Sequence, residues 1–231
     1  MPTIRSFLSV SGAILRRMNA KTDTTIYNGH RSWYVASGIV ALIGLVVASL
    51  MVWDTRHVIS GWETDIFHAI NNWPDTLKTI GLVITVAGGS IWLAIGSIIV
   101  TTLCKMYRLA WRLAAVIGAG YVLDFILKEG IDRGRPADML AEFHRRSVET
   151  GAGFPSGHTT IATVISLTLL PYLPKKLRWL PFVWIGLVAL SRIYLGVHLP
   201  LDVFGGFFVG LLVVSVVRIM PQSWKVLFRL D

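Results

Sequence analysis

The chain has 231 residues, 54% of them hydrophobic and 15% charged, with a mean hydropathy of +0.62; this excludes an ordinary soluble domain and points to a bundle in lipid. The net charge of +9 comes in short Lys and Arg clusters between apolar segments, so it reads as membrane topology, and no nucleic-acid partner is expected. A single cysteine, Cys104, excludes an internal disulfide and a multi-cysteine metal site.

Residues 1–32 form a basic segment carrying Arg5, Arg16, Arg17, Lys21 and Arg31. It lacks a sustained apolar stretch and a small-residue cleavage site, so no signal peptide is expected. Ile4, Phe7, Leu8, Leu15 and Met18 fall near one helical stripe, which reads either as an interfacial amphipathic helix or as a frayed basic tail. The membrane domain is expected over residues 33–220, followed by a short tail, 221–231. Its first span runs from Trp33 to Trp53, bracketed by tryptophans at interfacial positions. Residues 54–75 are polar, with an amphipathic stretch around Trp62, Ile66 and Ile70 that predicts an interfacial helix. Further spans are expected over about 77–103, 109–128, 156–172, 179–196 and 200–220. The fold class is thus all-α: an integral membrane bundle of six transmembrane helices with an interfacial helix in the first outward loop.

Most Lys and Arg lie in the N-terminal segment, the second and fourth loops and the tail. The positive-inside rule therefore places both termini in the cytoplasm and the first, third and fifth loops outside a plasma or inner membrane. Gly88, Gly89, Gly118, Gly120, Gly206 and Gly210 are expected to let helix backbones approach closely.

Three polar clusters interrupt this apolar chain, all at the outward ends of spans. Ionisable groups at such boundaries are costly unless paired or used. Lys128 and Arg135-Pro136 bring two permanent cations together, which suits a phosphate, although a snorkelling lysine and a charged loop would look the same. Pro155, Ser156, Gly157 and His158 open the fourth span: a capping serine, a glycine permitting close approach, free helix-end amides for an anion and a proton-transfer histidine. A plain capping turn with an incidental histidine is the alternative. Ser191 and Arg192 close the fifth span, and His198 and Asp202, four residues apart, flank the start of the sixth. If that turn is helical, the carboxylate can hold one imidazole nitrogen and leave the other free to attack. A satisfied interfacial histidine beside a helix-start aspartate is the competing account. On one membrane face, however, the three clusters together make a cradle for a phosphoryl group with two histidines to supply nucleophile and acid.

This pattern resembles the signature of the type 2 phosphatidic acid phosphatase superfamily. Lys128 with Arg135-Pro136, then Pro155-Ser156-Gly157-His158, then Ser191-Arg192 with His198 and Asp202 match it at every fixed position and spacing. The resemblance covers about residues 33–220 and implies a six-span lipid phosphatase. It implies that His198 attacks phosphorus to form a phosphohistidine, that Asp202 orients it and that His158 protonates the leaving group. Lys128, Arg135, Ser156, the Gly157 amide and Arg192 would hold the phosphoryl oxygens. No metal or other cofactor is expected, because these cations supply the charge a magnesium ion would.

Asp124 lies one turn before Lys128 and is expected to pair with it. His57, His68 and His144 read as surface residues. Residues 137–154 are expected to help select the substrate, with Arg145 and Arg146 as contacts for a second phosphate. The partner is a phosphorylated membrane lipid in the bilayer. Undecaprenyl pyrophosphate is the first expectation, with phosphatidylglycerophosphate, phosphatidate or a lipid A phosphate as alternatives. A non-enzymatic lipid-binding or transport bundle and a haloperoxidase remain as readings from other classes, set against intact His198, His158 and Asp202 and against the apolar spans.

Overall fold

The computed structural model describes residues 31–55 and 57–220, so the readings of the N-terminal segment before Arg31 and of the tail lie outside the described residues. Every regular element among them is helical. In chain order these are α1 (Arg31–Thr55), α2 (Gly61–Asn71), α3 (Lys78–Gly89), α4 (Ile91–Leu103), α5 (Tyr107–Ile131), the single turn α6 (Pro136–Met139), α7 (Gly157–Leu169), α8 (Leu180–Tyr194) and α9 (Pro200–Ile219), with short 3-10 turns at Asp75–Leu77, Leu170–Tyr172 and Lys175–Leu177.

Four helical stretches among the described residues, Arg31–Thr55, Tyr107–Met139, Lys175–Tyr194 and Pro200–Ile219, are long and apolar enough to cross a membrane, and a bent pair, Asp75–Gly89 with Ile91–Leu103, is so when taken together. Their outward faces carry large apolar side chains such as Ile39, Ile43, Val122, Phe125 and Phe182, as a lipid-facing surface requires. The chain is an integral membrane protein.

The bent pair corrects the expectation of one continuous span over 77–103. α3 and α4 meet at Ser90 at 48°. Ser90 is in extended conformation; its hydroxyl donates to the Val86 carbonyl at 2.6 Å and accepts from the Leu93 amide at 3.3 Å, so one side chain ends α3 and begins α4. Gly88 and Gly89 just before it allow the close packing that the bend needs: a Cβ on Gly89 would stand 2.4 Å from the His158 carbonyl oxygen, and one on Gly88 2.2 Å from Val188.

α7 is the core of the bundle. It has 13 residues, and Thr159 to Thr168 are all buried, enclosed by α5, α8, α9 and α3. Two of its hydroxyls lie against backbone: Thr163 donates to the Thr159 carbonyl at 2.7 Å, and Thr160 Oγ1 lies 3.1 Å from the Gly206 carbonyl oxygen. α9 crosses α7 through Gly206 and Gly210; a Cβ would lie 2.4 Å from the Ser156 carbonyl oxygen at the first and 2.6 Å from the Thr163 side chain at the second. Gly118 departs from the packing expectation, since nothing lies within 4 Å of its added Cβ.

The Gly206→Val protein should therefore lose thermal stability in detergent by about 1–3 kcal/mol and lose turnover about 10²-fold, because α9 must move off the start of α7. Gly118→Val should change neither. Thermal unfolding and kcat measured on both variants check the contrast.

α2 forms where an interfacial helix was expected, with two distinct faces. Trp62 and Ile66 are exposed, and the buried face carries Glu63, Phe67 and Asn71. The reason is pairing: Asn71 bonds the backbone of His144 and Tyr194, Glu63 meets a buried arginine, and Trp62 and Ile66 suit the lipid side.

Candidate active site

The C-terminal ends of α5 and α8 and the N-terminal ends of α7 and α9 lie together at one end of the bundle, which brings the three polar clusters into contact. At their centre is a residue that no sequence signal marked: Glu149, on the strap between α6 and α7. Its carboxylate bonds Arg192 Nη2, lies 3.1 Å from Arg135 Nη1, 3.7 Å from His198 Nε2 and 4.0 Å from His158 Nδ1. Four expected phosphate-binding or catalytic side chains thus converge on one anion supplied by the chain itself. Burial is the largest single influence and would raise the Glu149 pKa, but Arg192 and the two histidines together outweigh it and hold the carboxyl down to about 2.

His198 is fully buried just before α9. Since α9 begins at Pro200, His198 and Asp202 do not share a helical face as the spacing suggested. Asp202 instead sits in the first turn and reaches back, its Oδ2 accepting the Leu199 amide at 2.8 Å and lying 3.4 Å from His198 Nδ1. Nε2 is left on the cradle side, 3.4 Å from Arg135 Nη1. Burial, then Arg192 and Arg135, push the His198 imidazole well below its usual range, so the ring is neutral near neutral pH and Nε2 keeps its lone pair.

Ser156 occupies the N-cap position of α7, but the expected capping bond is absent: its side chain caps no amide and its hydroxyl accepts from Thr159 Oγ1 at 3.2 Å. No side chain caps this helix start, leaving the first amides of α7, at Gly157 and His158, with their dipoles toward the cradle end. The Ser156 amide donates to the Asp202 carbonyl at 2.9 Å, tying the starts of α7 and α9 together.

Lys128 and Arg135 are positioned by the strap. Lys128 Nζ donates to the Ala152 carbonyl at 2.9 Å. Arg135 donates to the carbonyls of Gly151 at 2.8 Å and Val197 at 2.9 Å, with longer bonds to Thr150 and Ala152, so it knits the strap to the His198 loop and turns only Nη1 toward the cradle. Asp124 makes no salt bridge to Lys128. It accepts from Thr160 at 3.0 Å, and its Oδ2 is buried without a hydrogen-bond partner.

The expected second-phosphate contact at Arg146 is also corrected. Its donors are taken by Asp75 and by the carbonyls of Asn71, Tyr194 and Trp73, and its guanidinium stacks 4.2 Å over the Tyr194 ring. It anchors the strap; Arg145 is exposed. His57 and His144 are exposed and His68 is half-buried. Sequence reasoning also missed Arg133, which is fully buried between Glu63 and Asp202.

The cradle holds an anion with fixed cations, and it places a neutral histidine nitrogen on one side and a second histidine within reach. A family model for the PAP2 superfamily, the type 2 phosphatidic acid phosphatases, matches residues 109–225 and takes in all of these groups. The chain belongs to this superfamily. Among PAP2 relatives, phosphatidylglycerophosphatase B of Bacillus subtilis is 36% identical over 132 residues, which is 52% of this chain and 63% of that protein. The match thus spans under two thirds of the relative's length. An undecaprenyl-diphosphatase of Sulfolobus acidocaldarius is 27% identical over 157 residues, covering 65% of this chain and 74% of the other. Two solved structures share the fold at 26% identity. The transmembrane PAP2 type phosphatidylglycerolphosphate phosphatase from Bacillus subtilis superposes with a TM-score of 0.64 over 84% of this chain and 98% of its own. Aquifex aeolicus LpxE gives 0.62 over 68% and 93%.

Because Glu149 fills the cradle, Glu149→Gln should bind inorganic phosphate about tenfold more tightly, the competing charge being gone. Inhibition of the solubilised protein by phosphate measures it; unchanged inhibition would place the binding anion elsewhere.

Proposed function

We propose that this chain is a metal-independent phosphatase acting on a lipid phosphate or pyrophosphate at the outer face of the membrane through a phosphohistidine. The observation that carries the reading is the convergence of Arg135, Arg192, His158 and His198 on one carboxylate, with Asp202 behind His198. A phosphoryl group would replace that carboxylate, its oxygens held by Arg192, Arg135, Lys128 and the amides at Gly157. Ser156 would hold the turn that presents those amides.

His198 Nε2 attacks phosphorus, the bond from phosphorus to the leaving oxygen breaks, and His158 gives that oxygen a proton. The ring becomes cationic as the N–P bond forms, and Asp202 stabilises it. Water then attacks, returns a proton to His158, breaks the N–P bond and frees phosphate. Arginine and lysine charge does the work that a magnesium ion does in other phosphoryl-transfer sites.

Six crossings are the topology we assign, with α7 and its 3-10 continuation as a fourth crossing of about 25 Å enclosed by the other helices. Both termini are then cytoplasmic and the strap is outside. In a Cys104→Ala background, a cysteine at exposed Ala141 should react with an impermeant thiol reagent on intact cells. Labelling only after lysis would reverse this orientation.

Two substrates compete. Undecaprenyl pyrophosphate has the named activity of the Sulfolobus acidocaldarius relative in its favour. Phosphatidylglycerophosphate has that of the Bacillus subtilis relative, and a monoester also fits a strap whose Arg146 is not free to hold a second phosphate. We favour the latter. Side-by-side phosphate release from these two lipids, phosphatidate and a lipid A phosphate, in EDTA, tests the assignment. A strict metal requirement would remove the metal-free mechanism, and a clear preference for the pyrophosphate would reverse the choice of substrate.

A further inference from the structure

We infer that Glu63 and Arg133 are positioning residues for the reaction at His198: Arg133 aims Asp202 at the imidazole, and Glu63 keeps Arg133 from cancelling the aspartate's charge. This rests on the phosphohistidine reading. Glu63, Arg133 and Asp202 have no exposed side-chain surface, and they come from α2, the loop after α5, and α9. Three ionised groups in a dry site are expensive and weak evidence of stability by themselves. Their arrangement shows what they do.

Arg133 grips Glu63 with both terminal nitrogens, Nη2 to Oε2 at 2.5 Å and Nη1 to Oε1 at 3.1 Å, while Nη1 alone reaches Asp202 Oδ1 at 2.8 Å. Asp202 therefore gives one oxygen to Arg133 and keeps Oδ2 for the Leu199 amide and His198 Nδ1. Without Glu63, the planar guanidinium could turn its whole fork onto Asp202, the geometry arginine and carboxylate prefer. It would then take Oδ2 from His198 and cancel the charge that the phosphorylated ring needs. Two carboxylates around one guanidinium leave the group with a net negative charge, which serves that ring.

Glu63 also fixes position. Its Oε1 accepts the Leu201 amide at 2.9 Å, in the first turn of α9, directly before Asp202. The Arg133 Nε is buried without a partner, so the guanidinium sits where the two carboxylates put it, not where its own donors are all satisfied.

A purely structural clamp joining α2 to the bundle is the competing account, and charge separates the two. Glu63→Gln keeps the shape and the acceptor for Leu201 but makes the group neutral. We expect kcat to fall about 30-fold with KM within about threefold, since Glu63 touches no substrate. The acid limb of kcat/KM should move about half a unit lower, because losing a nearby negative charge makes the imidazole harder to protonate. The other charged groups around His198, namely Arg135, Arg192, Glu149, Lys128 and Asp202, are the same in both proteins.

The double variant Glu63→Gln with Arg133→Gln removes both charges and restores a net negative charge on Asp202. It should recover at least about fivefold of the lost kcat and move the acid limb back up. A structural clamp predicts the opposite, a double variant worse than either parent. If Glu63→Gln alone yields no folded protein, the double variant decides: kcat within about tenfold of wild type supports the inference, and a greater loss overturns it. A wild-type protein inert toward every lipid phosphate overturns both this inference and the phosphatase reading. An active wild type with unchanged kcat and pH profile in Glu63→Gln overturns this inference alone.

Discussion

Replacing His198 with alanine should cut phosphate release by about 10⁴-fold or more while leaving the affinity for inorganic phosphate within a few-fold of wild type. The two effects separate because the groups that would bind the anion are not the group that would attack it. Arg192, Arg135 and Lys128 come from α8 and from the end of α5 and the loop that follows, and the amides come from α7; none depends on the imidazole for its position. His198 Nε2 faces the cradle, with its other nitrogen held by Asp202. Protein quenched in alkaline detergent should carry base-stable, acid-labile phosphate in the wild type and none in the variant. Retained turnover in His198→Ala would move the nucleophile elsewhere, with His158 the first place to look.

The second large effect is expected at Arg192. Arg192→Met should lower kcat/KM about 10³-fold, and Arg192→Lys should recover no more than about a tenth of that loss. Arg192 is 1% exposed at the end of α8, where its Nη2 already binds a carboxylate, and its Nε has no partner. A lysine there offers a point charge on a flexible stem and cannot reproduce the fork. Arg135 should behave differently. Because it knits the strap carbonyls to the His198 loop, its loss should cost stability along with activity. Steady-state kinetics with thermal unfolding on the two arginine series distinguishes them.

The site was legible in the sequence where its chemistry is local. Pro155 to His158 and Ser191 to Asp202 each lie in one short segment at a span end, so spacing and residue type identify them. Glu149, Glu63 and Arg133 were not legible, because their meaning is non-local. Glu63 and Arg133 are 70 residues apart, and Glu63 sits on a helix whose sequence says only that it is interfacial. Asp124 misled for the opposite reason: the one-turn spacing to Lys128 is a good pairing signal, but Thr160 and the Ala152 carbonyl took the two partners apart. The break at Ser90 was written in the sequence as Gly88-Gly89-Ser90, glycines followed by a capping residue. Average hydropathy over the segment concealed it.

That break also divides the crossing into two regimes of substitution. On the α3 side of it, Gly81, Gly88 and Gly89 are pressed against Tyr194, Val188 and His158, so side chains cannot be added there without displacing α8 or the start of α7. On the α4 side, Gly96 has open space around it. The α3 half should thus vary with the candidate site, and the α4 half with its lipid-facing surface and its packing, mainly on α5. Divergence among related chains should rise sharply at one residue, Ser90, with no change in hydropathy to announce it.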